Sequence, residues 1–174
     1  MINLIRKAVV GTIIGFFLIN GTNAFCENFG WQNKPWSKNR PSPIPLTDSD
    51  DEYDGSLKTE RLSIVGKGGN DKITLGDKDD CGSGDGGDDY IDGGDGSDGL
   101  SGGYGNDILI GRDGHDHLTG NFSDRIDDTG DADIIIGGPG EDYIKGGKDN
   151  DILVGGSVDL TDGGELIEST LTPD

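Results

Sequence analysis

A nine-residue period governs this chain from Gly66 to about residue 154. Its cleanest copies are Gly93-Gly94-Asp95-Gly96-Ser97-Asp98-Gly99-Leu100-Ser101 and Gly102-Gly103-Tyr104-Gly105-Asn106-Asp107-Ile108-Leu109-Ile110. Both have the form G-G-x-G-x-D-x-U-x, with U a large aliphatic. The sixth-position acid recurs at Asp71, Asp80, Asp89, Asp98, Asp107 and Asp116. One residue is lost near Thr119, and the column continues as Asp124, Asp133, Asp142 and Asp151. The eighth position reads Ile73, Gly82, Ile91, Leu100, Leu109 and Leu118, then Ile126, Ile135, Ile144 and Leu153. Copies at 75–83 and 119–136 are degenerate, with Lys78, Phe122 and Asp131 where a turn glycine belongs. Two columns held in register over such a length restrict the fold to one small unit, stacked repeatedly on itself.

The unit predicts its own geometry. Gly-Gly-x-Gly-x-Asp turns tightly because glycine accepts positive φ without a Cβ clash. The x-U-x triplet is a short strand whose aliphatic points inward while its neighbours point out. Two units complete one turn of a flattened parallel coil, so residues 18 apart stack at roughly 4.8 Å. The fold class is all-β. Counted through the slip, Asp71, Asp89, Asp107, Asp124 and Asp142 form one edge, and Asp80, Asp98, Asp116, Asp133 and Asp151 the other.

Such edges need a cation. The chain has 34 acidic against 14 basic residues and a net charge of −20, which turns it away from nucleic acid and anionic membranes and towards cations. Carboxylates stacked at this spacing repel by ~1 kcal/mol in water and by more near protein. One row of aliphatics cannot offset the ordering entropy of so glycine-rich a coil. The metal-free coil is therefore expected to be unfolded. Calcium, a hard dication that takes six to eight carboxylate and carbonyl oxygens in flexible shells, suits the deficit, and several ions are expected. Zinc and copper are disfavoured because no dense set of thiols or imidazoles exists. Binding free energy then becomes folding free energy. A merely solvated, acidic, disordered segment would show no fixed aliphatic column.

Outside the period, residues 1–24 read as a secretory signal. Arg6 and Lys7 form the basic start, Ala8 to Ile19 the apolar stretch, and Thr22-Asn23-Ala24 the cleavage site. The apolar run is short for a membrane span, so the mature chain is not expected to be an integral membrane protein. A Pro-rich and then acidic disordered linker is expected at 25–56, an entry strand marked by Leu62 and Ile64 at 57–65, the coil at 66–154, and a cap or tail at 155–174. Trp31 and Trp36 are candidate anchors for a partner or a sugar. Cys26 and Cys81 permit one disulfide in an oxidising compartment, or none. His115 and His117 share a strand face; a weak transition-metal pair and plain surface decoration are both readings of them.

Residues 66 to about 154 resemble the RTX, or haemolysin-type, calcium-binding repeats. The resemblance implies a right-handed parallel β-roll with calcium between successive turns, held by sixth-position aspartates one coil apart and by glycine-turn carbonyls. The implied pairs are Asp71 with Asp89, Asp80 with Asp98, Asp89 with Asp107 and Asp98 with Asp116. Asp107 with Asp124 and Asp116 with Asp133 span the slip, and Asp124 with Asp142 and Asp133 with Asp151 follow it. The catalytic and pore-forming domains of many members have no counterpart in H-E-x-x-H, G-x-S-x-G or a long apolar helix here. The expectation is a non-enzymatic protein, secreted or periplasmic, whose array folds on calcium. Adhesion, matrix or partner binding would be its role, towards a polysaccharide, mineral or protein. An accessory or remnant of a secreted RTX enzyme or toxin system is the alternative.

Overall fold

In a computed structural model, residues 41–121, 131–148 and 150–155 are described, together with the backbone of the strands at 157–160 and 165–166. The signal segment, Cys26, Trp31, Trp36, Asp124 and Ile126 lie outside these residues. Among the described residues there is no helix, hence none long and apolar enough to cross a membrane.

The strands alternate between two parallel sheets of a β-solenoid of about six turns. One sheet stacks β1 (Ile44–Pro45), β3 (Ser63–Val65), β5 (Cys81–Gly86), β7 (Gly99–Tyr104), β9 (His117–Thr119), β11 (Glu141–Lys145) and β13 (Ser157–Leu160). The other stacks β2 (Glu52–Asp54), β4 (Lys72–Thr74), β6 (Tyr90–Asp92), β8 (Ile108–Ile110), β10 (Ile134–Ile136), β12 (Ile152–Val154) and β14 (Glu165–Leu166). The 18-residue turn holds where the repeats are regular: Ile73 pairs with Ile91 and Ile91 with Leu109, and Leu100 pairs with Leu118. Each strand sends its central aliphatic inward. Ile73, Ile91, Leu100, Leu109, Leu118, Ile135, Ile144 and Leu153 thereby form one continuous core with Leu62, Ile64 and Leu75.

The coil is longer than the nine-residue period. Residues 41–56, expected to belong to the disordered linker, supply β1 and β2, which pair with β3 and β4 at a 20-residue offset. Leu46 and Tyr53 pack against the core from this first turn. The strand expected at 57–65 is thus the third and not the entry. Beyond 154, β13 pairs with β11 and β14 with β12, so part of the expected tail continues the coil through shorter turns.

The slip is resolved differently from the count in nines. Leu109 pairs with Ile135 and Leu118 with Ile144, a step of 26 residues in place of 18. A unit one residue short would turn its aliphatic to the wrong face. Instead β10 stacks directly on β8, and the extra residues fall between Asn121 and Asp131.

Gly82 leaves a gap in the aliphatic column, and Leu75 fills it. A Cβ at Gly82 would meet Ile91 Cγ2 at 3.1 Å, Leu75 Cδ1 at 3.3 Å and Leu100 Cδ2 at 3.4 Å. Leu75, at the place of a turn glycine, is 1% exposed and makes up for the missing side chain. Leu75→Ala should lower stability in saturating calcium by about 2–5 kcal/mol, the range for buried Leu→Ala changes. Adding Gly82→Leu should restore most of that loss, whereas Gly82→Leu alone should destabilise by overpacking. Denaturant titration of the four proteins checks the compensation; additive losses would refute it.

Candidate metal centre

The glycine turns bring the sixth-position acids to the two long edges of the coil, where all those described are buried: Asp71, Asp80, Asp89, Asp98, Asp107, Asp116, Asp133, Asp142 and Asp151. Up to Asp133, each amide donates forward to the carboxylate one coil on. On one edge the amides of Asp71 and Asp89 donate to Oδ1 of Asp89 and Asp107 at 2.7 and 2.8 Å. That edge continues from Asp107 to Asp133 and from Asp133 to Asp151, each at 2.9 Å. On the other edge Asp80 donates to Asp98 and Asp98 to Asp116, each at 2.8 Å, and Asp116 to Asp142 at 3.0 Å.

The stacking therefore joins Asp71 with Asp89, Asp80 with Asp98, Asp89 with Asp107, Asp98 with Asp116, and Asp133 with Asp151. It corrects the edges beyond the slip. Asp133 and Asp151 follow Asp107, and Asp142 follows Asp116. The expected pairs of Asp107 with Asp124 and Asp116 with Asp133 give way to Asp107 with Asp133 and Asp116 with Asp142. Gly120 shows why: a Cβ there would strike Asp133 Oδ2, just as one at Gly102 would strike Asp107 Oδ2. Gly120 thus opens the unit that Asp133 closes, with the extra residues inserted between them. Asp124, and with it the pair Asp124 with Asp142, lies outside the described residues.

The second carboxylate oxygen is the chemically open one. Oδ2 of Asp71, Asp89, Asp98, Asp107, Asp116 and Asp142 is buried and receives no hydrogen bond. It sits over the first glycine of its own unit, facing a main-chain carbonyl of the next coil. A Cβ on Gly84 would overlap Asp89 Oδ2 and lie 2.8 Å from the Gly102 oxygen; one on Gly93 would overlap Asp98 Oδ2 and lie 3.0 Å from the Gly111 oxygen. Among the described residues no three His, Cys, Asp or Glu side chains converge into a cage, so carbonyls must supply much of any shell. Paired hard oxygens from carboxylate and carbonyl, with no nitrogen or sulfur, fit calcium. The aspartates stacked one coil apart are the residues that would hold it.

Electrostatics press the same way. Burial, reinforced by neighbouring carboxylates, pushes Asp98 up to about 10, Asp107 to about 8 and Asp89 to about 7, against the lowering effect of the amide bond to each. Burial likewise raises Asp116 to about 7, with the Asp142 carboxylate adding to it. Arg61, Lys72 and Arg112 are paired with Asp79, Glu52 and Asp92, which are not members of the columns.

Asp51 is a column member hidden in the apparent linker: its amide donates to Asp71 Oδ1 at 2.8 Å. The clue was Asp51-Glu52-Tyr53, an acid two residues before a large apolar side chain. The two histidines make separate contacts. His115 Nδ1 accepts the Glu141 amide at 3.1 Å, and half-buried His117 stacks on Tyr143 at 4.5 Å. Cys81 is disulfide-bonded; the other cysteine of the sequence, Cys26, lies outside the described residues.

A raised carboxylate pKa means that the folded metal-free coil holds more protons than the unfolded chain. Its stability is therefore fullest below the ordinary value of 3.8 and falls as pH rises through about 7 to 10. In EGTA, β-content by far-UV circular dichroism should be greater near pH 5 than at pH 8, and calcium added near neutrality should release protons. A metal-free coil that gains structure with rising pH would contradict the sign.

No curated protein and no solved structure matches the chain. The family model for the RTX calcium-binding nonapeptide repeat, in four copies, matches residues 92–126 and 127–159, and its two segments meet within the stretch where the register steps by 26. Residues 92–159 therefore carry RTX calcium-binding nonapeptide repeats, and calcium is the ion that repeats of this kind bind.

Proposed function

We propose that the chain is a secreted, non-enzymatic calcium-binding protein, unfolded where calcium is scarce and folded where it is abundant. The observation that carries the reading is the row of buried Oδ2 atoms on Asp71, Asp89, Asp98, Asp107, Asp116 and Asp142, which no donor reaches. Such groups are costly to bury and lose that cost when a cation takes them. The aliphatic row fills the interior and the open carboxylate oxygens face main-chain carbonyls of the next coil along the edges, which supports holding ions between turns rather than a substrate. The basic start and apolar run of residues 1–24 support export as an unfolded chain, with folding outside opposing backward sliding by mass action. The folded rod would then serve adhesion, matrix or partner binding, with a polysaccharide, mineral or protein at its outer faces.

Far-UV circular dichroism of the mature chain at neutral pH should read as coil in EGTA and as β-structure in millimolar calcium, with magnesium much less effective because it resists irregular shells. Mass spectrometry of the extracellular or periplasmic fraction should find an N-terminus at or near Phe25. Identical spectra in EGTA and calcium would end the coupling argument, and an intact Met1 chain confined to the cytoplasm would end the localisation.

Asp98 stacks with both Asp80 and Asp116, so Asp98→Ala removes a ligand from two candidate positions at once. It should raise the calcium midpoint severalfold and lower cooperativity. Asp95→Ala, an exposed turn residue outside the column, should leave both nearly unchanged. Equal effects would mean that bulk charge governs binding.

A further inference from the structure

The residue before the column acid makes a second set of contacts between coils. On the edge of Asp71 and Asp89, the amides of Asn70, Asp88, Asn106 and Ala132 donate to side-chain oxygens of the preceding coil. These are Asp50 Oδ1 at 2.8 Å, Asn70 Oδ1 at 3.0 Å, Asp88 Oδ1 at 2.9 Å and Asn106 Oδ1 at 3.0 Å. The Asn106 side-chain amide also donates to Asp88 Oδ1, at 3.2 Å. The opposite edge repeats the pattern with different chemistry. There Ser97 donates to Asp79 Oδ1 at 3.2 Å, His115 to Ser97 Oγ at 3.4 Å and Glu141 to His115 Nδ1 at 3.1 Å.

We propose that these fifth-position side chains form two lateral ladders that hold successive turns in register and so position the sixth-position acids, a task that requires an acceptor atom and not a charge. Three observations carry this. The polarity is opposite to that of the acid column: fifth-position amides donate back to the previous coil, sixth-position amides forward to the next, so each turn is tied on both sides at adjacent peptide units. The acceptors differ in kind (carboxylate, carboxamide, hydroxyl and imidazole nitrogen), so the shared property is acceptance alone. On the first edge Asp50, Asn70, Asp88 and Asn106 alternate charged with neutral acceptors, which keeps ladder carboxylates from standing on adjacent rungs. The ladder bonds use only protein atoms, and the insertion leaves them intact, since Ala132 reaches back to Asn106 across the 26-residue step.

The proposal rests on the calcium-coupled reading for one readout and is independent of it for the other. The full mature chain would carry Asp88→Asn, Asp88→Ala or Asp88→Leu, with the calcium midpoint followed by circular dichroism and exchange of the Asn106 amide by NMR at saturating calcium. Asp88→Asn keeps the acceptor and drops the charge, and should stay within about twofold of the parent in both measurements. Asp88→Ala and Asp88→Leu lose the acceptor, and should raise the midpoint severalfold and speed exchange of the Asn106 amide. Asp88→Asn behaving like Asp88→Ala would show that Asp88 acts through its charge and overturn the proposal, as would three variants that all match the parent. A parent already folded in EGTA would refute calcium coupling alone, because amide exchange and thermal melts would still separate Asp88→Asn from Asp88→Ala.

Discussion

Burying a stacked row of carboxylates is the constraint from which the rest of this molecule follows. Except for Asp80, each described sixth-position aspartate gives one oxygen to the amide of the aspartate one coil back, a backbone group that would otherwise be buried without a partner. That bond aims the second oxygen into the space over a glycine, out of water and against a carbonyl. The coil cannot have the first contact without the second, so regular stacking itself creates an electrostatic deficit. Charged, the column opposes its own packing; protonated, it fits only at low pH; with a dication between turns, the same geometry becomes favourable.

Among the described residues, the first strand and the first acids of the coil differ from the later ones. β1 carries Pro45 and follows Pro43, residues that cannot donate to a further strand, which blunts the edge for addition of another chain. The first acid on each edge is also supplied with donors from the chain itself. Asp51 Oδ2 accepts the amide and hydroxyl of Thr47 at 2.8 and 2.7 Å, and these bonds hold its carboxyl below the usual range. Asp80 Oδ1 accepts the Leu62 amide at 2.7 Å and its Oδ2 the Gly76 amide at 2.9 Å. At the first acid of each edge, Asp51 and Asp80, protein donors thus occupy the oxygen that stays open in Asp71, Asp89, Asp98, Asp107, Asp116 and Asp142.

What could be read from the chain tracks how local the cause is. The parallel coil, its two-unit turn, its aliphatic row and the placing of its acids on two edges follow from spacing alone, because every regular unit repeats the same contacts. Where two units differ in length, spacing no longer decides which residues stack. Counting in nines kept Asp124 and Ile126 in the columns, whereas the coil opens a unit at Gly120, closes it at Asp133 and joins Asp107 directly to Asp133. The first turn was missed for a related reason: Asp51 and Tyr53 hold the acid and apolar places without any glycine turn, and the prolines around them pointed to a linker. The fifth-position ladders are invisible to composition because they ask for an acceptor that Asp, Asn, Ser and His all provide.

The glycines of the unit answer two different demands, and the departures from the pattern sort by which demand is relaxed. At the second position of most units the backbone is left-handed, and Lys67, Asp85 and Arg112 adopt it at φ of 82°, 74° and 77°, so a side chain is tolerated there at the modest cost of that conformation. Arg112 uses the direction it gains to place its guanidinium on both oxygens of Asp92, each at 2.5 Å. At the first position the demand is for space, since any Cβ would collide with the Oδ2 of the unit's own aspartate. Leu75 is the substitution found at that place, and the aspartate of its unit, Asp80, is the one whose Oδ2 is drawn to the Gly76 amide. The same unit carries Gly82, whose missing side chain Leu75 replaces in the core. Loss of the aliphatic, arrival of a leucine in the turn and satisfaction of the carboxylate by the backbone are thus one coupled change: the unit at 75–83 fills its core from the turn and holds both carboxylate oxygens with amides instead of leaving one open.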